Sequence, residues 1–252
     1  MTLTAETASS RAKPGFDKRF DLRSFGEPLI ALRAVPIVDA GEPLVDLRDF
    51  CPHVVLHSGC LPFLRETVAG MVNEVQDRLP NGLTLTVGTA LRTLPMQRGI
   101  RENFTKEMSE KHPEWSRATL ARMLNRMVAP PDDVSPPPHV TGGALDVGLV
   151  GMDGETLDFT SPIEGWESAP TYYYKLSEAA RVNRLLLIGA MEGAGLTNYV
   201  GEWWHWSYGD QGWALRVGNP IAYYGPVEVE DAESKRIPRP PQPPQEETAP
   251  TE

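Results

Sequence analysis

His139-Val140-Thr141-Gly142-Gly143-Ala144-Leu145-Asp146 is the stretch around which the 252-residue chain is read. It places an imidazole and a carboxylate on either side of a glycine pair. Glycine lets a chain turn sharply without a side-chain clash, so the pair predicts a turn. Ala144–Val150 then alternates as a strand, with Asp153-Gly154 as the turn after it. A second stretch, Glu202-Trp203-Trp204-His205, sets another carboxylate three positions before another imidazole.

Upstream of the first stretch, Leu64, Val68, Met71, Val75 and Leu79 recur at helical spacing, which predicts an amphipathic helix over Leu61–Leu79. Pro80-Asn81-Gly82 stops it, and Leu83, Leu85 and Val87 alternate with threonines as a half-buried strand. Further helices are predicted over Pro95–Lys111 and Glu114–Val128, with Pro113 suiting the first turn of the second. Ala179, Val182, Leu186 and Ala190 share one face of a helix over residues 175–192, ended by Gly193 and Gly195. The aromatic segments Trp203–Tyr208, Trp213–Val217 and Ile221–Tyr224 read as strands of an antiparallel sheet. Helices early and strands late predict an α+β fold, a central antiparallel sheet with helices packed on it.

The 34 acidic and 24 basic side chains give a formal charge of −10. That balance argues against non-specific nucleic-acid binding, which needs a basic face to displace counterions. No apolar run approaches the roughly 18 residues of a membrane span. Two cysteines cannot form a disulfide scaffold, and the first residues lack the apolar segment of a secretory signal. A cytoplasmic protein is the expectation. Of the 24 prolines, seven lie from Pro226 onward and five between Pro130 and Pro138. The proline-rich, acidic end has too little apolar surface to offset its ordering entropy. The expected organisation is a loose N-terminus over 1–18, a folded domain over 19–230 and a disordered tail over 231–252.

Imidazole and carboxylate suit zinc, and a catalytic zinc usually keeps three protein ligands and an open position. His139, Asp146 and His205 would supply two nitrogens and one oxygen. Glu202 could then stand beside the metal without ligating it, placed to accept a proton. Taken singly, each residue also has an ordinary structural reading. The tryptophans beside Glu202 read first as core.

H-x-x-G-x-A-x-D followed by E-x-x-H-W resembles the signature of the VanX-type D-alanyl-D-alanine dipeptidases. These belong to a wider group of zinc D,D-peptidases with a hedgehog-like fold. Asn183-Arg184-Leu185-Leu186 and the segment Thr89-Ala90-Leu91-Arg92 resemble the family as well, and the likeness covers roughly residues 60–225. It implies one zinc ion held by His139, Asp146 and His205. It also implies Glu202 as general base and acid, and Arg92 as the group that steadies the oxyanion. The implied partner is a small dipeptide, with no nucleic acid or membrane; the oligomeric state is open. Two departures stand out. Pro137 replaces a serine common two residues before the first histidine, and Thr89 replaces an aspartate common three before the arginine. Peptide hydrolysis is therefore better supported than D-Ala-D-Ala as its substrate, and the leading expectation is a zinc-dependent dipeptidase acting on D-Ala-D-Ala or a related D-amino-acid dipeptide. A D,D-carboxypeptidase or endopeptidase acting on cell-wall peptides and a non-hydrolytic zinc-stabilised module remain as alternatives. Cys51, His53, His57 and Cys60 have spacings that could hold a second, structural metal, against the plainer reading of a strand with buried thiols.

Overall fold

The computed structural model describes residues 26–131, 134–230 and 232–238, with the side chain of Arg126 left aside. The expectations for residues 1–18 and for 239–252 lie outside these residues. The fold is α+β, as expected.

Five strands make the central sheet in the order β2 (Val55–Leu56), β4 (Thr84–Thr89), β5 (Ala144–Val150), β7 (His205–Ser207) and β6 (Thr197–Asn198). It is mixed rather than wholly antiparallel, because β2 runs parallel to β4 while the other pairs are antiparallel. A smaller antiparallel ribbon pairs β1 (Leu44–Asp46), which leads into the short helix α2 (Leu47–Phe50), with β3 (Phe63–Arg65).

Strand alternation separates packing from chemistry. Leu145, Val147 and Leu149 on β5 are buried, while the residues between them are less so. The buried set joins one core with Val68, Val72 and Val75 of α3 (Glu66–Arg78) and with Leu187 and Met191 of α6 (Glu178–Gly193). Asp146 points the other way. Between Val87 and Thr89 the β4–β5 register shifts, so that Thr89, not Gly88, opposes Asp146. Such a bulge bends the strand and re-aims the residues beyond it.

Several local expectations are corrected. The helix expected from Leu61 begins at Glu66, because Phe63–Arg65 is taken up by the ribbon with β1. Pro113 is not in a first turn: α4 (Leu94–Lys111) ends before it, and α5 (Arg117–Met127) is capped by the Ser116 side chain. Trp213–Val217 is not a strand but the body of helix α7 (Gln211–Val217). The Asp210 carboxylate accepts from the Trp213 N–H at 2.5 Å, and Gly218 closes the helix in the left-handed region. These caps outweigh the β preference of the aromatic residues. Within Ile221–Tyr224 only Ala222 makes a bridge, to Ile37. The strand read between Cys51 and Cys60 is only the two-residue β2 (Val55–Leu56), at an edge of the sheet with Val55 44% exposed.

The ordered chain also runs further into the tail than expected. A 3-10 turn spans Ala232–Lys235, and Ile237 packs on the main core. Its N–H donates to the Cys60 carbonyl at 2.9 Å and its carbonyl accepts from Gly59 at 2.8 Å. A short helix at the other end, α1 (Leu29–Ala34), is secured by an ion pair of Glu27 with Arg216 at 2.8 Å. Among the described residues, no helix is long and apolar enough to cross a membrane.

Candidate metal centre and catalytic pocket

Each site residue sits where a local feature of the sequence puts it. His139 rides a 3-10 turn, Pro138–Thr141, that begins directly after the proline run. Gly142 then adopts φ +70°, and a Cβ there would lie 2.7 Å from a Leu44 methyl. At Gly143 a Cβ would lie 2.6 Å from the Tyr208 carbonyl oxygen. Both positions therefore require glycine, the first for its backbone angle and the second for the close approach of two chains.

The next residues enter β5, where Asp146 pairs directly with His205 of β7. The turn that precedes His205 is tied by its own backbone. The Glu202 N–H donates to Tyr199 at 2.9 Å, and the His205 N–H donates to Glu202 at 3.1 Å. Asn198 braces the turn by donating from Nδ2 to the carbonyls of Glu202 and His205 at 3.1 and 3.0 Å.

Three ligand-type atoms converge as a result. His139 Nε2 lies 3.2 Å from Asp146 Oδ1 and 3.1 Å from His205 Nδ1, and the last two atoms are 3.0 Å apart. Among the described residues this is the one group of three or more His, Cys, Asp or Glu side chains gathered closely enough to hold a metal. The donor set fits a cation. His139 Nδ1 lies 2.8 Å from the Ala90 carbonyl, which can only accept. In a neutral imidazole that contact places the proton on Nδ1 and leaves a bare lone pair on Nε2. Two nitrogens and an oxygen that cannot all satisfy one another then face a common point. Ligands about 2.0–2.2 Å from a tetrahedral zinc stand roughly 3.3–3.6 Å apart, a few tenths of an ångström more than the spacing of these atoms.

The electrostatics of His139 and Asp146 agree with that reading. Burial and the nearby Arg92 and His205 charges push the His139 pKa down, so the neutral, ligating form is favoured. Burial pushes Asp146 up, but His139 and His205 overcome it and hold its carboxyl well below the usual carboxylate range. His205 goes the other way: its hydrogen bond and attraction to Asp146 outweigh burial.

Glu202 and Arg92 line the same pocket as the three ligand-type residues. Burial, with a contribution from Asp146, raises the Glu202 pKa to about 7, against the pull of His205 and Arg92. Such a carboxyl can exchange a proton near neutrality. Arg92 approaches Asp146 Oδ2 at 3.3 Å and Gln97 Oε1 at 3.3 Å.

Gln97 has no place among the residues expected from the sequence. It is 1% exposed, and its Nε2 donates to the Ala129 carbonyl at 2.8 Å, which leaves Oε1 facing Arg92. Its signal in the sequence is weak, because a glutamine inside a predicted helix is usually a surface residue. Asn198 escapes sequence reasoning for a similar cause, since a side chain that ties a turn has no periodicity. Thr89 stands opposite Asp146 in the strand pairing, and Pro137 precedes the 3-10 turn as its cap residue.

The four residues considered for a second metal do not come together as one. Cys51 and Cys60 are buried free thiols. Burial pushes them to about 12 and about 11 respectively, and His53 and His57 belong to no such cluster among the described residues. Protonated buried thiols of this kind are packing groups.

Comparison with known proteins finds likenesses over most of the chain. Residues 105–223 match the Peptidase_M15 family model, described as D-ala-D-ala dipeptidase. The match includes His139, Asp146, Glu202 and His205 and begins after Arg92. The chain is 29% identical over 247 residues to the D-alanyl-D-alanine dipeptidase of Synechocystis sp. (strain ATCC 27184 / PCC 6803 / Kazusa), covering 81% of this chain and 100% of that protein. It is 37% identical over 68 residues to the D-alanyl-D-alanine dipeptidase of Escherichia coli (strain K12), covering 27% of this chain and 35% of that one.

Proposed function

We propose that this chain, whose residues 105–223 match the Peptidase_M15 model and which is 29% identical over 247 residues to a D-alanyl-D-alanine dipeptidase, is a metallopeptidase of that kind and hydrolyses a free dipeptide built from D-amino acids with the help of zinc. The observation that carries the reading is the triangle of His139 Nε2, Asp146 Oδ1 and His205 Nδ1, with Glu202 in the same pocket as a non-ligating carboxyl. A purely structural site has no need of Glu202.

In this reading His139, Asp146 and His205 hold one zinc. A bound zinc supplies Lewis acidity, which acidifies water and polarises a carbonyl. The chain's own groups do the rest. The Ala90 carbonyl fixes the His139 ring so that Nε2 faces inward. A Glu202 carboxylate oxygen takes the proton of the attacking water and returns it to the departing amine nitrogen. Arg92, steadied by Gln97, offers N–H groups to the carbonyl oxygen as negative charge builds on it. Asp146 offsets part of the metal charge and keeps Arg92 close.

The catalytic unit is proposed to span residues 19–230, of which 19–25 lie outside the described residues, together with the docked segment that ends at Ile237. A cytoplasmic setting, where free dipeptides are the accessible substrate, suits this reading better than attack on a wall. The test is a panel of L,L, L,D and D,D dipeptides, free and N-acetylated, given to the zinc-loaded protein. Cleavage of free D,D dipeptides alone supports the proposal; cleavage of N-acylated peptides would favour a carboxypeptidase. If zinc binds tightly and nothing is cleaved, the non-hydrolytic reading replaces it.

A further inference from the structure

The pocket that holds the metal centre has a volume of about 830 Å³. A volume of this order suits a drug-sized ligand, since such sites run to roughly 300–1,000 Å³. A dipeptide of two alanines fills only a small part of it. The excess space is not lined by polar groups alone. Trp166 and Trp204 lie along one wall, with Leu29, Leu32 and Met127 among the other lining residues.

Trp166 is the unusual member. It is 49% exposed, in a 3-10 turn, Gly165–Ser168, of a long loop. An indole on a loop at the surface would ordinarily be mobile and costly to expose. Here the loop is clamped from inside. Arg184, 1% exposed, donates to the carbonyls of Phe159, Ser168, Pro170 and Thr171 at 2.5–2.9 Å. Trp203 ties the same loop by donating its N–H to Ala169 at 2.9 Å. The indole is held in turn between two rings, edge-on to Trp204 at 5.8 Å and to Phe104 at 5.9 Å. Trp204 sits in the sequence between Glu202 and His205, so the aromatic wall begins beside the reacting groups.

We infer that Trp166 and Trp204 form an aromatic subsite, and that the substrate is a dipeptide with one large apolar or aromatic side chain rather than D-Ala-D-Ala. The inference rests on the dipeptidase reading and sharpens its substrate class. A preorganised aromatic wall gains binding from an apolar side chain by removing its surface from water. A methyl group leaves most of that wall wet.

The test uses the full, zinc-loaded chain with D-Ala-D-Ala, D-Leu-D-Ala, D-Ala-D-Leu, D-Phe-D-Ala and D-Ala-D-Phe. At least one bulky dipeptide is expected to exceed D-Ala-D-Ala in kcat/KM by about tenfold or more, within the range that hydrophobic pockets achieve. Trp166→Ala should lower that preference about tenfold, chiefly through KM, and Trp166→Phe should restore much of it. D-Ala-D-Ala as the best substrate, or a preference untouched by Trp166→Ala, would overturn the inference and leave the dipeptidase reading standing. If no dipeptide is cleaved, that reading fails instead. The subsite is then judged by indole fluorescence, where tighter binding of the bulky dipeptides supports it and equal binding sinks it.

Discussion

Asp146 and His205 are directly paired across β5 and β7, and their side chains meet on the face of the sheet opposite the core, Oδ1 to Nδ1 at 3.0 Å. Two of the three ligand-type atoms are thus placed by sheet register alone. Asp146→Asn keeps the shape and removes the anionic charge. We expect zinc affinity to fall by more than the roughly 10–100-fold typical of changes just outside a ligand shell. Metal content after dialysis, with titration calorimetry, reads this directly.

A carboxyl in the role proposed for Glu202 accepts a proton only when ionised. The kcat/KM profile is therefore expected to rise with pH through its pKa, which lies at about 7 in the bare protein. A cation beside it favours the ionised form and moves that limb lower. Glu202→Gln should cut kcat by about 10²–10⁴ with zinc binding retained. A variant that keeps wild-type kcat would remove Glu202 from the mechanism.

The same carboxyl makes a prediction for the metal-free protein. Its folded pKa is raised above the ordinary 4.5, so the folded state binds more protons between pH 4.5 and about 7. The contribution of Glu202 to stability therefore falls as pH rises through that window and is flat above it. With chelator present, Glu202→Gln should be more stable than wild type at pH 8 by about 1–3 kcal/mol, and the gap should close towards pH 4.5. Denaturant melts at the two pH values measure the difference, and other titrating groups common to both proteins cancel.

Arg92 lies 3.3 Å from Gln97 Oε1, and the Gln97 amide is oriented by its bond to the Ala129 carbonyl. Arg92→Ala should lower kcat by about 10²–10³, the usual cost of losing an oxyanion donor. Gln97→Leu should produce a smaller fall, on kcat more than on KM, and Gln97→Glu, which keeps an acceptor for Arg92 but has no N–H for the Ala129 carbonyl, should recover only a small part of it. An equal loss in all three would point to a general disturbance of the pocket instead.

Gly143 is the tightest backbone contact in the first motif. Gly143→Ala forces a Cβ against the Tyr208 carbonyl and must push β5 and the His139 turn apart. Loss of stability and of zinc binding together is expected, whereas Gly154→Ala, in open space at a surface turn, should lose stability alone through its positive φ.

The parts of the site that are short in sequence are legible there. His139 through Asp146 and Glu202 through His205 carry their spacing with them, and glycines at 142 and 143 announce a turn. The illegible parts depend on partners far away in the chain. Nothing in the spacing of Gln97 shows that it will meet Arg92 and the Ala129 carbonyl, and nothing near Arg184 shows that it will gather four carbonyls from residues 159–171. Over Trp213–Val217 the aromatic content argues for a strand, and the Asp210 cap, a single residue outside the segment, decides for a helix. Ile237 reads as part of a loose tail because a single apolar side chain among prolines gives no periodic signal, yet it finds a place on the core.

The bulge at Gly88 sets the phase of the whole strand. Up to Val87, β4 counts in step with the core; beyond it, one extra residue shifts the count, and Thr89, Ala90 and Arg92 keep time with Asp146 and His139 instead. A chain with Gly88 deleted would retain every residue named in the site. Its Ala90 carbonyl and Arg92 would nevertheless arrive half a pleat out of phase, and the site would be lost with none of its groups removed.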